Sequence, residues 1–132
     1  MNVTGSFEVK VTVEPPYDAA FGVVLARASV DKRFSGALEA EGKVQMLSCR
    51  TPVEGSAVYV ALERVTGTLQ GKQGTFVLQH TGAMNGGVSS LVVVVAPNSG
   101  TGELQGLSGR MDIQIVDGKH SYSFDFELAS GS

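Results

Sequence analysis

"GTLQGKQGTFVLQ", residues 67–79, returns without a gap as "GELQGLSGRMDIQ", residues 102–114. Both copies read G-x-L-Q-G-x-x-G and then enter an alternating segment that ends in glutamine. A glycine-rich run of this kind either cradles a phosphate or turns one strand into the next. A phosphate cradle needs a helix N-terminus behind it. The residues after Gly109 instead alternate with the period of a strand. Gly100, Gly102 and Gly106 also miss the dinucleotide spacing by one residue, and no G-x-x-x-x-G-K-[ST] occurs. The glycines therefore read as corners. In the repeated unit the G-x-L-Q piece is a short strand, the next glycines supply the positive φ of a tight turn, and a longer strand returns as a hairpin. "GALEAEGKVQM", residues 36–46, is a looser third copy.

The segments around these corners alternate too. "FEVKVTV" sets Phe7, Val9, Val11 and Val13 against Glu8, Lys10 and Thr12. "RMDIQIV" sets Met111, Ile113 and Ile115 against Arg110, Asp112 and Gln114, and "HSYSFDFEL" sets His120, Tyr122, Phe124, Phe126 and Leu128 against Ser121, Ser123, Asp125 and Glu127. Each is a strand with one apolar and one polar face. "VSSLVVVV", residues 88–95, is apolar on both faces towards its end, which predicts cover on both sides. A helix, the N-terminal segment or a second subunit would supply that cover, and the expectation is a homo-oligomer. "DAAFGVVLARAS", residues 18–29, has the alanine content of a helix, but Gly22 and the β-branched pair after it suit a strand at least as well. "HTGAMNGG" at 80–87 and "NSG" at 98–100 read as connections, with Met84 at a barrel mouth. The whole pattern predicts an all-β fold, a single small antiparallel β-barrel of about eight strands with little or no helix. It would span residues 1–129 and leave 130–132 as a frayed tail.

Composition narrows the function. The 132 residues are 42% hydrophobic and 17% charged, with ten basic against thirteen acidic side chains and a net charge of −3. Such a chain suits one globular domain, and without a Lys/Arg cluster it lacks the footprint of nucleic-acid binding. The longest apolar run, "LVVVVA", is too short to span a bilayer as a helix. "MNVTGSFEVK" shows no secretion signal, and the single Cys49 forms no internal disulfide, so the expectation is a cytoplasmic protein without a membrane partner.

If the apolar strand faces share one interior, several polar residues share it with them. Arg64 follows Val58, Val60 and Leu62; His80 follows Phe76 and Leu78; His120 precedes Tyr122 and Phe124. A histidine can take or give a proton near neutral pH, and a desolvated arginine can stabilise an oxyanion. His80 and His120 are thus the catalytic candidates, with Arg64, Tyr122, Phe76 and Phe124 as ligand contacts. On the opposite face of the same strand stand Tyr59, Ala61 and Glu63. If that face is the inner one, Tyr59 and Glu63 become the proton-transfer candidates, and sequence leaves the choice open. The plain alternatives are rim or core histidines and an inter-strand ion pair for Arg64. Asp112, Asp125 and Glu127 read as an outer polar face. Two histidines without H-x-H or C-x-x-C spacing give no metal ligand set, and no cofactor is expected. Cys49 reads as a buried residue rather than a nucleophile, and no G-x-S-x-G elbow is present.

"YVALERVTGTLQGKQGTFVLQHTGAMNGG" and "VVVVAPNSGTGELQGLSGRMDIQIVDGKHSYSFDFEL" resemble a bacterial family numbered 3224 among domains of unknown function, with looser agreement in "VDKRFSGALEAEG". The resemblance implies a fold similar to the allene oxide cyclase barrel, a calycin-like barrel also related to dirigent proteins. Those relatives bind hydrophobic molecules and guide cyclisation or coupling without a cofactor, and several form oligomers. No catalytic residue carries over position by position. Three functions are compatible with such a barrel. It could bind a small hydrophobic or amphipathic molecule and act as a cofactor-independent isomerase or cyclase. It could be a non-catalytic carrier or sensor, or a filled barrel that serves only in oligomerisation.

Overall fold

A computed structural model describes residues 1–128. Eight strands succeed one another along the chain: β1 (Asn2–Val13), β2 (Val24–Gly36), β3 (Leu38–Arg50), β4 (Ala57–Leu69), β5 (Lys72–Asn85), β6 (Val88–Val95), β7 (Leu107–Val116) and β8 (Lys119–Leu128). Each pairs antiparallel with the next, and β8 returns to β1, so the sheet closes into an up-and-down barrel. The segment 18–29 is strand β2 preceded by a short 3-10 turn at Ala20–Gly22. Among the described residues no helix is long and apolar enough to cross a membrane. Of the expected tail, residues 130–132 lie outside the described residues, as does residue 129.

The repeat behaves differently in its copies. In the first, β4 ends at Leu69, and Gln70 and Gly71 (φ 49° and 81°) turn the chain directly into β5. Two consecutive positive φ angles are what a tight hairpin needs, because they match the twist of the flanking strands. In the second copy Gly102–Leu104 is a 3-10 turn rather than a strand, so the expected second hairpin does not form. Both copies nevertheless have a buried leucine, Leu69 and Leu104, before a glycine corner and a strand. Leu104 turns into the core at one end of the barrel, because the β6–β7 connection runs along the start of β5, where the Thr101 N–H bonds the Thr75 carbonyl, instead of reversing at once. The third copy shares less still: Leu38 begins β3 and Gly42 lies inside it. Residues 80–85, read as a connection, extend β5, and only Gly86–Gly87 makes the turn.

Alternation separates two different halves of the interior. The end closed by Leu104 is a dry core of Phe34, Leu38, Val65, Leu69, Phe76, Leu78, Met111 and Phe124. Phe124 stacks on both Phe76 and Phe126, with ring centroids 5.9 and 5.3 Å apart. Tyr122 pins the β2–β3 corner to this core. Its hydroxyl accepts a hydrogen bond from the Leu38 N–H and donates to the Ser35 carbonyl, both at 3.0 Å. Towards the other end the exposure of the inward side chains rises, from buried Phe7 through Val11 to Val13 at 73% on β1.

The wall is uneven. β4 and β5 pair continuously from Ala57–Met84 to Leu69–Lys72, whereas β6 and β7 pair only at Val93–Met111 and Val94–Arg110. The two strands part towards the open end. On the outside of β6, Val92 is exposed and Val94 half-buried, so the described residues cover the second apolar face of that strand only in part.

Candidate functional site

The open half of the barrel encloses a cavity of about 620 Å³. Phe7, Val9, Val11, Val30, Met46, Met84, Leu91, Ile113 and Ile115 give it apolar walls, and its polar groups come from Lys32, Ser48, Tyr59, Ser89, Ser90, His80 and His120. A mostly apolar concavity of this size with a few convergent polar groups has the form of a small-molecule site. Exposed apolar side chains, among them Val13, Tyr17, Phe21, Val53, Val88 and Val116, stand on the strand ends and loops around its mouth.

Its floor is a buried charged cluster. Glu63 on β4 is completely buried and His80 on β5 is 4% exposed. Glu63 Oε1 receives His80 Nε2 at 2.8 Å and Lys32 Nζ at 3.1 Å. The register explains the meeting. Glu63 lies opposite Leu78, and His80 opposite Ala61, so the two polar residues are diagonal neighbours on the inner face of adjacent strands. Lys32 on β2 is two strands away from Glu63, and the position between them, opposite Lys32 on β3, is Gly42. Without a side chain at that position, the lysine reaches across the strand to the carboxylate. Its ammonium also lies over the Phe7 ring, 4.9 Å from the centroid.

Two polar atoms of the cluster have no protein partner among the described residues. Glu63 Oε2 is sealed from solvent and accepts no hydrogen bond among the described residues. It rests against Gly42, where an added Cβ would collide with it. A buried, unpartnered carboxylate oxygen is expensive, and a catalytic role is one of the few things that account for such a group. His80 Nδ1 is the second atom. In a neutral ring, donation from Nε2–H to the carboxylate leaves the lone pair on Nδ1, and the ring borders the cavity.

The sequence candidates scatter over three environments. His80 lines the cavity and is bonded to Glu63, which is sealed behind it, while Tyr59 and His120 line the cavity wall, His120 against the Phe7 ring at 5.1 Å. Burial raises the Tyr59 hydroxyl above the ordinary tyrosine pKa, so it stays protonated as a donor. Tyr122, Phe76 and Phe124 belong to the dry core at the closed end and do not reach the cavity. Arg64 points outward, as do Val58, Val60 and Leu62, so the inner-face expectation for that set is corrected. Of the two faces of β4, the one with Tyr59, Ala61, Glu63 and Val65 is inside, because it packs with Val44 of β3 and Leu78 of β5. Lys32 is absent from the sequence candidates, although Val30, Lys32 and Phe34 alternate with a charge in an apolar register, the same signal that marks His80. Among the described residues no three His, Cys, Asp or Glu side chains converge as a metal site.

The fold is shared with a solved protein. It is similar to the crystal structure, at 1.84 Å resolution, of a protein with unknown function from Shewanella oneidensis MR-1, with 50% sequence identity, 97% of each chain covered and a TM-score of 0.92. That protein is described as a member of the DUF3224 family. No curated protein matches the chain. The profile of the same family, described as a protein of unknown function, matches residues 3–126. With nearly its whole length matched, the chain belongs to the DUF3224 family.

Proposed function

We infer that the protein binds a small amphipathic molecule in the open half of the barrel, with its apolar part against the walls and its polar head on the floor. The observation that carries this reading is the buried Lys32–Glu63–His80 cluster at the base of an apolar cavity. A barrel that served only as a structural module would gain more stability from an apolar residue at position 63, because a buried ion pair seldom repays its desolvation. The resemblance to allene oxide cyclase-like barrels, whose members hold hydrophobic molecules without a cofactor, supports the same reading.

The floor also narrows the head group. Lys32 and Glu63 cancel each other's charge, so a carboxylate head would bring a second anion beside Glu63 in a medium of low dielectric. A neutral carbonyl or hydroxyl fits better, accepting from Lys32 or donating to His80 Nδ1. Calorimetry with 2-nonanone, an uncharged medium-chain ketone, tests this. Saturable binding that is lost in Ile113→Trp, which fills the cavity, supports the reading; equal binding by both proteins refutes it.

The outer wall favours self-association. Leu47, Val60 and Val92 lie outward on one row across β3 to β6, with Thr81 between the last two and Leu62 beside them. A second copy covering this row would meet the need for cover on β6. Light scattering checks it: an oligomer that Leu62→Lys converts to monomer supports this reading, and a wild-type monomer refutes it.

A further inference from the structure

We propose that this cavity is catalytic: His80, held by Glu63, and Lys32 move a proton within an enolisable ketone, converting a β,γ-unsaturated ketone into its conjugated α,β-isomer. This rests on the binding of an uncharged amphipathic molecule and assigns it a substrate class and a reaction.

Lys32 Nζ and His80 Nε2 share one oxygen, Glu63 Oε1, at 3.1 and 2.8 Å. The two nitrogens are therefore no further apart than those two bonds laid end to end, and one small functional group can touch both side chains. Lys32 has three N–H donors and spends one on Glu63, so others remain for a carbonyl oxygen. His80 Nδ1 has no protein partner among the described residues, and in the neutral ring that donates Nε2–H to Glu63 it carries a lone pair that can receive a proton from carbon.

The step balances without a second reactant. The bond from the α-carbon to hydrogen breaks, the proton goes to Nδ1, and its electron pair spreads through the alkene into the carbonyl as a dienolate. The Lys32 ammonium stabilises the developing negative oxygen, and Glu63 stabilises the imidazolium. Nδ1–H then returns the proton to the γ-carbon, the double bonds shift, and the ring is neutral again. Nothing is oxidised or reduced. Burial strengthens each of these electrostatic contacts, because no solvent must reorganise as charge develops. The second Glu63 oxygen, unpartnered against Gly42, leaves the carboxylate less satisfied in the resting state than it is once the imidazolium forms.

The experiment uses the full chain with 3-cyclohexenone. Ultraviolet absorbance tracks the conjugated product, NMR in D2O tracks deuterium uptake, and saturation-transfer NMR on the same sample reports binding. The expected result is an acceleration of at least about a hundredfold over buffer, the range of a positioned general base. His80→Gln, whose amide can still bond Glu63 but cannot carry the proton, should bind the ketone and return to the buffer rate. Lys32→Met should lower kcat about a hundredfold. Glu63→Gln should lower kcat while leaving KM near wild type, as fits a positioning residue. The wild-type rate decides the matter even if a variant does not fold. A ketone that binds without acceleration overturns the catalytic proposal and leaves the binding reading intact. If 3-cyclohexenone does not bind, the catalytic proposal is overturned while the 2-nonanone titration decides the binding reading, and full activity in His80→Gln overturns the assignment of the base.

Discussion

Glu63 and Gly42 are packed so closely that the second oxygen of the carboxylate occupies the space a Cβ would need at position 42. The glycine serves here through its missing side chain and not through an unusual backbone angle. Gly42→Ala should push Glu63 out of line and destabilise the protein by about 1–3 kcal/mol, the usual range for overpacking a tight core. Urea unfolding reads this directly, and an unchanged midpoint would mean that the carboxylate has room to move.

The buried cluster makes a separate thermodynamic prediction. Glu63→Leu alone leaves the Lys32 ammonium, whose side chain is only 9% exposed, without its counter-ion and should cost about 3–5 kcal/mol. Adding Lys32→Met should recover most of that loss, because the pair is replaced by apolar side chains of similar size. If the double variant is no more stable than the single one, the two charges do not depend on each other.

Tyr122 contributes to the alkaline limit of stability. Burial raises its hydroxyl above the ordinary value, the Leu38 backbone bond lowers it, and the charge of Glu39 raises it again, for a net increase. A raised folded pKa means that the folded state holds the proton longer than the unfolded one. That stability is therefore fully present below the unfolded pKa of about 10 and is lost as pH rises through the folded value. Tyr122→Phe should cost about 1–3 kcal/mol at neutral pH by orphaning the Leu38 N–H. It should also lose less further stability at alkaline pH than wild type does, since of the two tyrosines with raised pKa only Tyr59 remains. Identical alkaline losses in the two proteins would contradict this.

The β6–β7 seam should be the most mobile part of the wall. Its two paired positions, Val93–Met111 and Val94–Arg110, compare with an unbroken ladder between β4 and β5. Amide exchange in residues 88–92 and 112–116, at the groups that face the seam, should be faster than anywhere along β4–β5. Uniform protection around the barrel would remove the seam as a weak point.

The closed end is legible in the sequence because alternation there is strong: Tyr122, Phe124 and Phe126 face one way, and Ser121, Ser123 and Asp125 the other. β4 is not, since Val58, Val60 and Leu62 are as apolar as the residues between them, and period alone does not choose a face. The choice depends on what β3 and β5 present across the barrel, which is long-range information. Lys32 is hidden for a related reason. Its role needs Gly42 on the next strand and Glu63 on the one after it, a relation that exists only once the registers of β2, β3 and β4 are fixed. The glycine repeat misleads in its second copy because a buried leucine and a glycine corner serve equally well in a hairpin and in a loop that lies along a neighbouring strand.

Binding in the open half of the barrel is tested most directly by an NMR titration of the labelled protein with 2-nonanone. Saturable shifts are expected at Tyr59, His80, Met84, Ile113 and His120, with Val65, Leu69, Phe76 and Phe124 of the closed end unmoved. Shifts confined to the outer residues Leu47, Val60 and Leu62, or no saturable shift at all, would contradict it.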